Sequence, residues 1–398
     1  MNPSTATKAS ARDHLPFLDF LRGLAILSVF LFHSVGVAVG GPQDQLPWKG
    51  NFRDFSAASS FNVMLPFTLG WCGVTLFFVI SGFCIHLSHE RSRDKHLSVF
   101  FLRRFFRIYP PFLVACLIFA AIRLNFHGEF WASVTSLATH LFLLNNYLPG
   151  PGGINGSLWS IATEVQLYAI YPFLLAIALR WGWQVALRFT FCVWAGLVIL
   201  QIILLETIPG FALPLGYHRS PFFAWFIWSV GAALANAYLK GQPLPFRRVP
   251  FYVWILAGLL CYLCRQTFIA TDLFLALGAV SFIALCLDRP DVLSGARFPA
   301  AFKALSTLGL VSYSAYLIHQ PVMKIIVLGG LKVLHRPLPE LVVFACAVMT
   351  MAVVFPLSYA FYRWIELPSI ELGKWAIQKS KEYRESRTAP IRPVAEVE

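Results

Sequence analysis

The chain has 398 residues, 58% of them hydrophobic and 13% charged, with 37 Phe, 12 Trp and a mean hydropathy of +0.66. Soluble domains carry about 25% charged residues, so half that value over this length excludes a soluble enzyme, a disordered chain and a secreted disulfide scaffold. The net charge of +13 would suggest nucleic acid in a soluble protein; among membrane helices it reads as Lys and Arg gathered in cytoplasmic loops, and no nucleic-acid partner is expected.

A helix needs about 20 mostly apolar residues to cross a bilayer. On that measure the sequence predicts ten spans, near 17–39, 65–87, 108–123, 158–179, 185–205, 220–239, 251–265, 269–287, 306–328 and 341–362. A further apolar run, 134–148, is short and carries His140, Asn145 and Asn146, and is expected to be re-entrant or interfacial. With ten spans and a cytoplasmic N-terminus, the inner segments hold 23 Lys and Arg against eight outside. Counting 134–148 as a span would put the basic C-terminal tail outside, against the positive-inside rule. The expected fold class is all-α, a polytopic membrane helix bundle of about ten transmembrane helices plus one short re-entrant or interfacial helix. A membrane domain over 17–368 is flanked by cytoplasmic tails, 1–16 and the basic 369–398. The eight Cys fall in apolar stretches; Cys261 and Cys264 form a lone C-x-x-C without a second pair, so no metal is expected.

Ionisable groups at membrane depth are costly and are functional candidates by default. In the first span Asp19 precedes Arg22 by one turn and can pair with it. His33 returns to nearly the same helix face about 16 Å further along. The plainer alternative is that Arg22 snorkels to the interface and His33 is a satisfied polar residue. The second span carries Ser81-Gly82-Phe83, where Gly permits close backbone approach. At the third, Arg103, Arg104 and Arg107 fall within five residues, as topological anchors or as a phosphate clamp. The fourth span presents Ser157, Ser160, Glu164, Tyr168 and Tyr171 at steps of three and four, one polar stripe on an apolar helix. Counting from the outer ends, Glu164 and His33 are expected at equal depth, where a carboxylate could orient an imidazole. In the ninth span Tyr313, Tyr316, His319 and Gln320 make a polar edge, which reads more simply as interhelical packing than as catalysis.

Taken together, Arg22-x10-His33, Phe78-Val79-Ile80-Ser81-Gly82-Phe83, Arg103-Arg104-x-x-Arg107-Ile108-x-Pro110, Ser157-Leu158-Trp159-Ser160-x-x-x-Glu164, Tyr313-Ser314-x-Tyr316-Leu317-Ile318-His319-Gln320-Pro321 and Glu366-x-Pro368 resemble the acyltransferase-3 family of integral-membrane O-acyltransferases. The resemblance runs from about Phe17 to Pro368, with the motifs in family order. It implies transfer of an acyl group, usually acetyl, from cytoplasmic acyl-CoA to a hydroxyl of an extracytoplasmic acceptor, most simply a surface polysaccharide or oligosaccharide such as lipopolysaccharide. The setting implied is the bacterial inner membrane, with both termini cytoplasmic; the cofactor-like donor is acetyl-CoA or another acyl-CoA, without metal. On this reading His33 is general base or transient acyl carrier, Glu164 orients it and Arg22 extends the donor path. Arg103, Arg104, Arg107, Ser81 and Gly82 would hold acyl-CoA. Asp19, Ser157, Trp159, Ser160, Tyr313, Tyr316 and His319 would support the acceptor. A transporter or flippase, or the same chemistry on a lipid or small molecule, is the alternative. Relatives often add a C-terminal extracytoplasmic domain, and a stand-alone member is expected here. The outer loop 40–64 is a candidate sugar lid or, equally, an unstructured connector.

Overall fold

The computed structural model describes residues 15–40, 60–127, 130–148, 154–210, 213–214, 216–264, 267–293 and 299–388. The expected lid loop lies outside the described residues over 41–59. The helices, in chain order, are α1 (Pro16–Val39), α2 (Ser60–Thr68), α3 (Cys72–Arg91), α4 (Leu97–His127), α5 (Phe130–Leu141), α6 (Trp159–Trp181), α7 (Trp183–Thr207), α8 (Pro221–Leu239), α9 (Phe251–Leu263), α10 (Thr271–Asp288), α11 (Pro299–Leu310), α12 (Ser312–Leu334), α13 (Glu340–Met349), α14 (Met351–Phe361) and α15 (Leu367–Thr388). Among the described residues there is no strand. Among these residues nine helical runs are long and apolar enough to cross a membrane, and the 13-residue α9 is a shorter apolar helix. The chain is a multi-pass membrane protein with an all-α fold. The 12-residue α5 rises only about 18 Å and does not span.

Local chemistry sets the helix limits. Gly40, with φ of 89°, ends α1 in the left-handed region that glycine alone enters freely. Ser220 caps α8, its hydroxyl accepting from the Phe222 N–H, with Pro221 at the first helical position. α8 is the hub: 83% of its apolar window is buried, against 11% for α7, which faces outward. With lipid as apolar as leucine, helices associate through close packing of small residues. Gly82 of α3 lies against the Trp228 carbonyl of α8, and Gly231 of α8 lies against the Val79 carbonyl of α3. α1 and α11 interlock in the same way, Gly23 against the Leu305 carbonyl and Gly309 against that of Asp19.

Several span limits differ from expectation. α4 begins at Leu97 rather than near 108, so Arg103, Arg104 and Arg107 lie well inside a helix. The expected ninth span is two helices broken at Val311 (φ −97°, ψ 11°), with α11 packed on α1 and α12 carrying the motif residues. The last span breaks at Thr350, then passes through a π-turn over Tyr362–Glu366 into α15. α15 continues through residue 368 and packs along α4; the Ser369 hydroxyl donates to the Phe106 carbonyl, and Phe106 also abuts Gly373.

Candidate functional site

Polar side chains on α1, α3, α6 and α12 meet in a stepped seam through the bundle. One end lies towards the face bearing Arg91, Arg93 and Arg103, here called the basic face; the other lies towards the C-terminal end of α1.

Near the basic face, Arg22 bonds Asp19 at 2.9 Å and the Cys84 sulfur at 3.2 Å. One turn further in, Ser81 donates to Glu164 Oε1 at 2.7 Å, the Tyr168 hydroxyl donates to the same oxygen, and Trp228 Nε1 donates to Ser81 Oγ at 3.2 Å. Two hydroxyl donors thus satisfy a carboxylate that would otherwise be costly at this depth. The charge of Glu164 also reaches Arg22. Arg104 bonds Ser88 Oγ at 3.1 Å and lies 5.7 Å from the Phe100 ring centroid, and its charge reaches Cys84 and Tyr168. Arg103 bonds Ser92 Oγ at 3.0 Å. Arg107 faces Glu366, a buried carboxylate that accepts the Ser314 hydroxyl at 2.5 Å. The Tyr313 hydroxyl bonds the Ile108 carbonyl at 2.7 Å.

On the basic face Ser88, Arg91, Ser92, Arg93, Asp94, Arg103 and Lys381 line a cavity of about 480 Å³, within the roughly 300–1,000 Å³ of small-molecule sites. Among the described residues, Arg103 and Arg104 bond hydroxyls and not carboxylates. Asp94 pairs with Arg384 of α15 at 2.7 Å.

At the other end, His33 Nδ1 lies 3.2 Å from Gln320 Nε2, and the His33 and His319 ring centroids are 5.1 Å apart. Gln320 Oε1 accepts the Ser157 backbone N–H at 3.0 Å. The Tyr316 hydroxyl contacts the Ser157 carbonyl at 2.9 Å and Ser160 Oγ at 2.6 Å. Arg219, from the turn before α8, stacks 5.5 Å from the Trp159 ring.

The expected pairing of His33 with Glu164 does not occur among the described residues. Glu164 belongs to the Ser81 cluster, whereas His33 meets Gln320 at the level of Ser157. Ser157 and Glu164 are seven residues apart, about 10 Å along a helix. The depth estimate failed because the entry to α6 is recessed: Asn155, Ser157 and Leu158 are all buried, and Asn155 bonds the Leu317 carbonyl at 2.9 Å. The close approach permitted at Gly82 is used by α8. Cys84 and Trp228 were missed as site residues. The signal for Cys84 was available, since it follows Ser81 by three positions and so shares its helix face; Trp228 gave none, because a tryptophan in an apolar helix reads as core.

A sequence profile described as an acyltransferase domain matches residues 15–361. The chain is 25% identical to the peptidoglycan O-acetyltransferase OatA of Listeria monocytogenes, over 91% of this chain and 57% of that protein. It is 32% identical to the acyltransferase MdmB of Streptomyces mycarofaciens, over 40% of this chain and 38% of that protein. It is 28% identical to nodulation protein 10 of Rhizobium leguminosarum, over 27% of this chain and 34% of that protein. The chain therefore spans between a third and three-fifths of the length of these relatives. No solved structure matches it. The profile covers most of the chain and every helix of the polar seam, and the chain belongs to the acyltransferase-3 family.

Proposed function

We infer that the protein is a membrane O-acyltransferase that takes an acyl group, acetyl in the simplest case, from acyl-CoA at the basic face and delivers it to a hydroxyl of a glycan at the opposite face. The observation that carries this reading is the seam itself, which joins an arginine-rich cavity at one end to a histidine cluster at the other inside an apolar bundle. The donor's phosphates suit Arg93, Arg103 and Lys381 around the cavity, because guanidinium and ammonium groups bind phosphate oxygens by charge-assisted hydrogen bonds. Arg104, Cys84, Arg22, Ser81 and Glu164 then mark a path inward for the arm that carries the thioester. His33, His319 and Gln320 stand where the acyl group and the acceptor hydroxyl would meet. The basic face is cytoplasmic on this reading, as the positive-inside rule requires. The likeness to a peptidoglycan O-acetyltransferase supports a glycan of the cell envelope as acceptor.

The test uses purified protein in lipid vesicles supplied with radiolabelled acetyl-CoA, comparing the wild type with His33→Ala and Arg104→Ala. The expected result is release of CoA or labelling of the protein, lost in both variants. Absence of turnover, together with no CoA binding by calorimetry, would sink the reading.

A further inference from the structure

The two histidines at the reacting end are held in opposite hydrogen-bonding states, and the geometry assigns each one. The Ser157 backbone N–H can only donate, so the Gln320 atom that meets it at 3.0 Å is the amide oxygen. The Gln320 nitrogen therefore faces His33 Nδ1 at 3.2 Å. An amide nitrogen carries donors and no usable acceptor. His33 Nδ1 must accept, which leaves the ring proton of neutral His33 on Nε2. His319 is the reverse case. Its Nδ1 lies 2.9 Å from the Tyr316 carbonyl and 3.2 Å from that of Ala315, and carbonyls only accept. The proton of His319 is on Nδ1, and Nε2 presents a bare lone pair.

That lone pair has no hydrogen-bond partner, and the residue is fully buried. A buried acceptor left unpaired destabilises the fold, a cost that is recovered when a substrate supplies the missing donor. The titratable and charged groups around the pair are His33 on α1 with Tyr316 and Lys324 on α12; Phe30 of α1 packs on the His319 ring from the other side. No carboxylate contacts either imidazole among the described residues.

We propose that His319, and not His33, supplies the base that deprotonates the acceptor hydroxyl, and that Gln320 positions His33 as the hydrogen-bond donor to the acyl oxygen. The proposal rests on the acyl-transfer reading above. In the step it describes, the hydroxyl oxygen bonds to the thioester carbon while its proton passes to His319 Nε2. The carbonyl π pair moves onto oxygen, where the His33 Nε2–H stabilises it. The carbon–sulfur bond then breaks, and the proton leaves His319 for the departing sulfur, so both imidazoles end neutral.

The test is the pH–rate profile of acyl transfer in vesicles for the wild type, His319→Gln, His33→Gln and Gln320→Glu. His319→Gln keeps an amide N–H for the Tyr316 carbonyl, and its gel-filtration profile checks that it folds. It is expected to lose at least about 100-fold in kcat and to lose the fall in rate towards acid pH that protonation of the base causes. His33→Gln also slows the reaction but keeps that fall. Gln320→Glu replaces the donor facing Nδ1 with an acceptor, draws the His33 proton to Nδ1 and lowers kcat, although it leaves His319 untouched. An acid-side fall that persists in His319→Gln and vanishes in His33→Gln overturns the assignment, as does a Gln320→Glu enzyme faster than wild type. A wild type that never consumes acyl-CoA overturns the functional reading itself; full activity in His319→Gln overturns only the choice of base.

Discussion

Among the described residues, Glu164 is held inside an apolar bundle by converging hydroxyls and not by a cation bonded to it. Ser81 and Tyr168 donate to one of its oxygens, and Ser81 in turn accepts from the Trp228 indole. Glu164→Ala removes the acceptor; the Ser81 and Tyr168 hydroxyls, 3.2 Å apart, can then bond one another, which leaves one O–H buried without an acceptor, at about 1–3 kcal/mol. Glu164→Gln keeps an oxygen in place. In detergent, Glu164→Ala should therefore lower the melting temperature clearly more than Glu164→Gln; equal losses would show that the hydroxyls find other partners. The stripe that contains Glu164 was legible in the sequence because polar residues at helical spacing stand out on an apolar helix. Its true neighbours were not, because counting inward from the end of a span measures depth only when that end lies at the membrane surface. The buried approach through Asn155 and Ser157 breaks that assumption. His319 was read as packing for a related reason, since a histidine's role lies in which nitrogen is occupied, and only coordinates show that.

At the scale of elements, the α3–α8 crossing sets the position of the Ser81 cluster. The two glycines bring the backbones together, and a methyl group at either would meet a carbonyl of the facing helix. Backbone atoms cannot swing aside as a side chain can, so Gly231→Ala should cost about 1–3 kcal/mol by overpacking and shift Ser81 away from Glu164. Gly330→Ala on α12, which meets nothing within 4 Å, is the control. The expected outcome is a lower melting temperature and lost acyl transfer for the first alone. α15 presents a second case. The Asp94 carboxyl sits below its usual range, first because the His96 backbone N–H donates to it and then because Arg384 pairs with it. A carboxyl lowered in the folded state stabilises it above the unfolded value of about 3.9 and loses that contribution as pH falls through the folded value. Spin labels on α4 and α15 should therefore hold a fixed separation at neutral pH and spread as the pH drops below about 4. Asp94→Asn should show the spread at neutral pH. Hydropathy located most of the spans but not these joints. The arginine run in α4 reads as the edge of the membrane, yet Arg, Leu and Phe extend a helix readily, so apolarity marked where the span begins and not where the helix does. Nothing in the composition around Val311 announces the break between α11 and α12.

Across the whole molecule, the proposed function gives charge two tasks on one face. On the expected ten-span topology, 23 Lys and Arg would lie on the inner side and eight on the other, and a bias of that size fixes orientation on insertion. The same face holds the cavity lined by Arg91, Arg93, Arg103 and Lys381. The expected excess for topology is large, so losing two charges leaves the bias intact, whereas losing two of the four basic side chains that line the cavity removes a large share of its attraction for an anion. Arg93→Gln combined with Lys381→Gln should therefore leave orientation unchanged, as read by cysteine labelling from either side of the vesicle, and raise the KM for acetyl-CoA about tenfold with little change in kcat. A contact that acts equally on bound substrate and transition state changes KM in this way. Wild-type affinity should also fall steeply with salt, because exposed charges are screened beyond about 10 Å at 0.1 M, and the double variant should flatten that slope. An unchanged KM with a flat salt response in both proteins would assign Arg93 and Lys381 to topology alone and move the donor's phosphates to Arg104 and Arg107 deeper on α4.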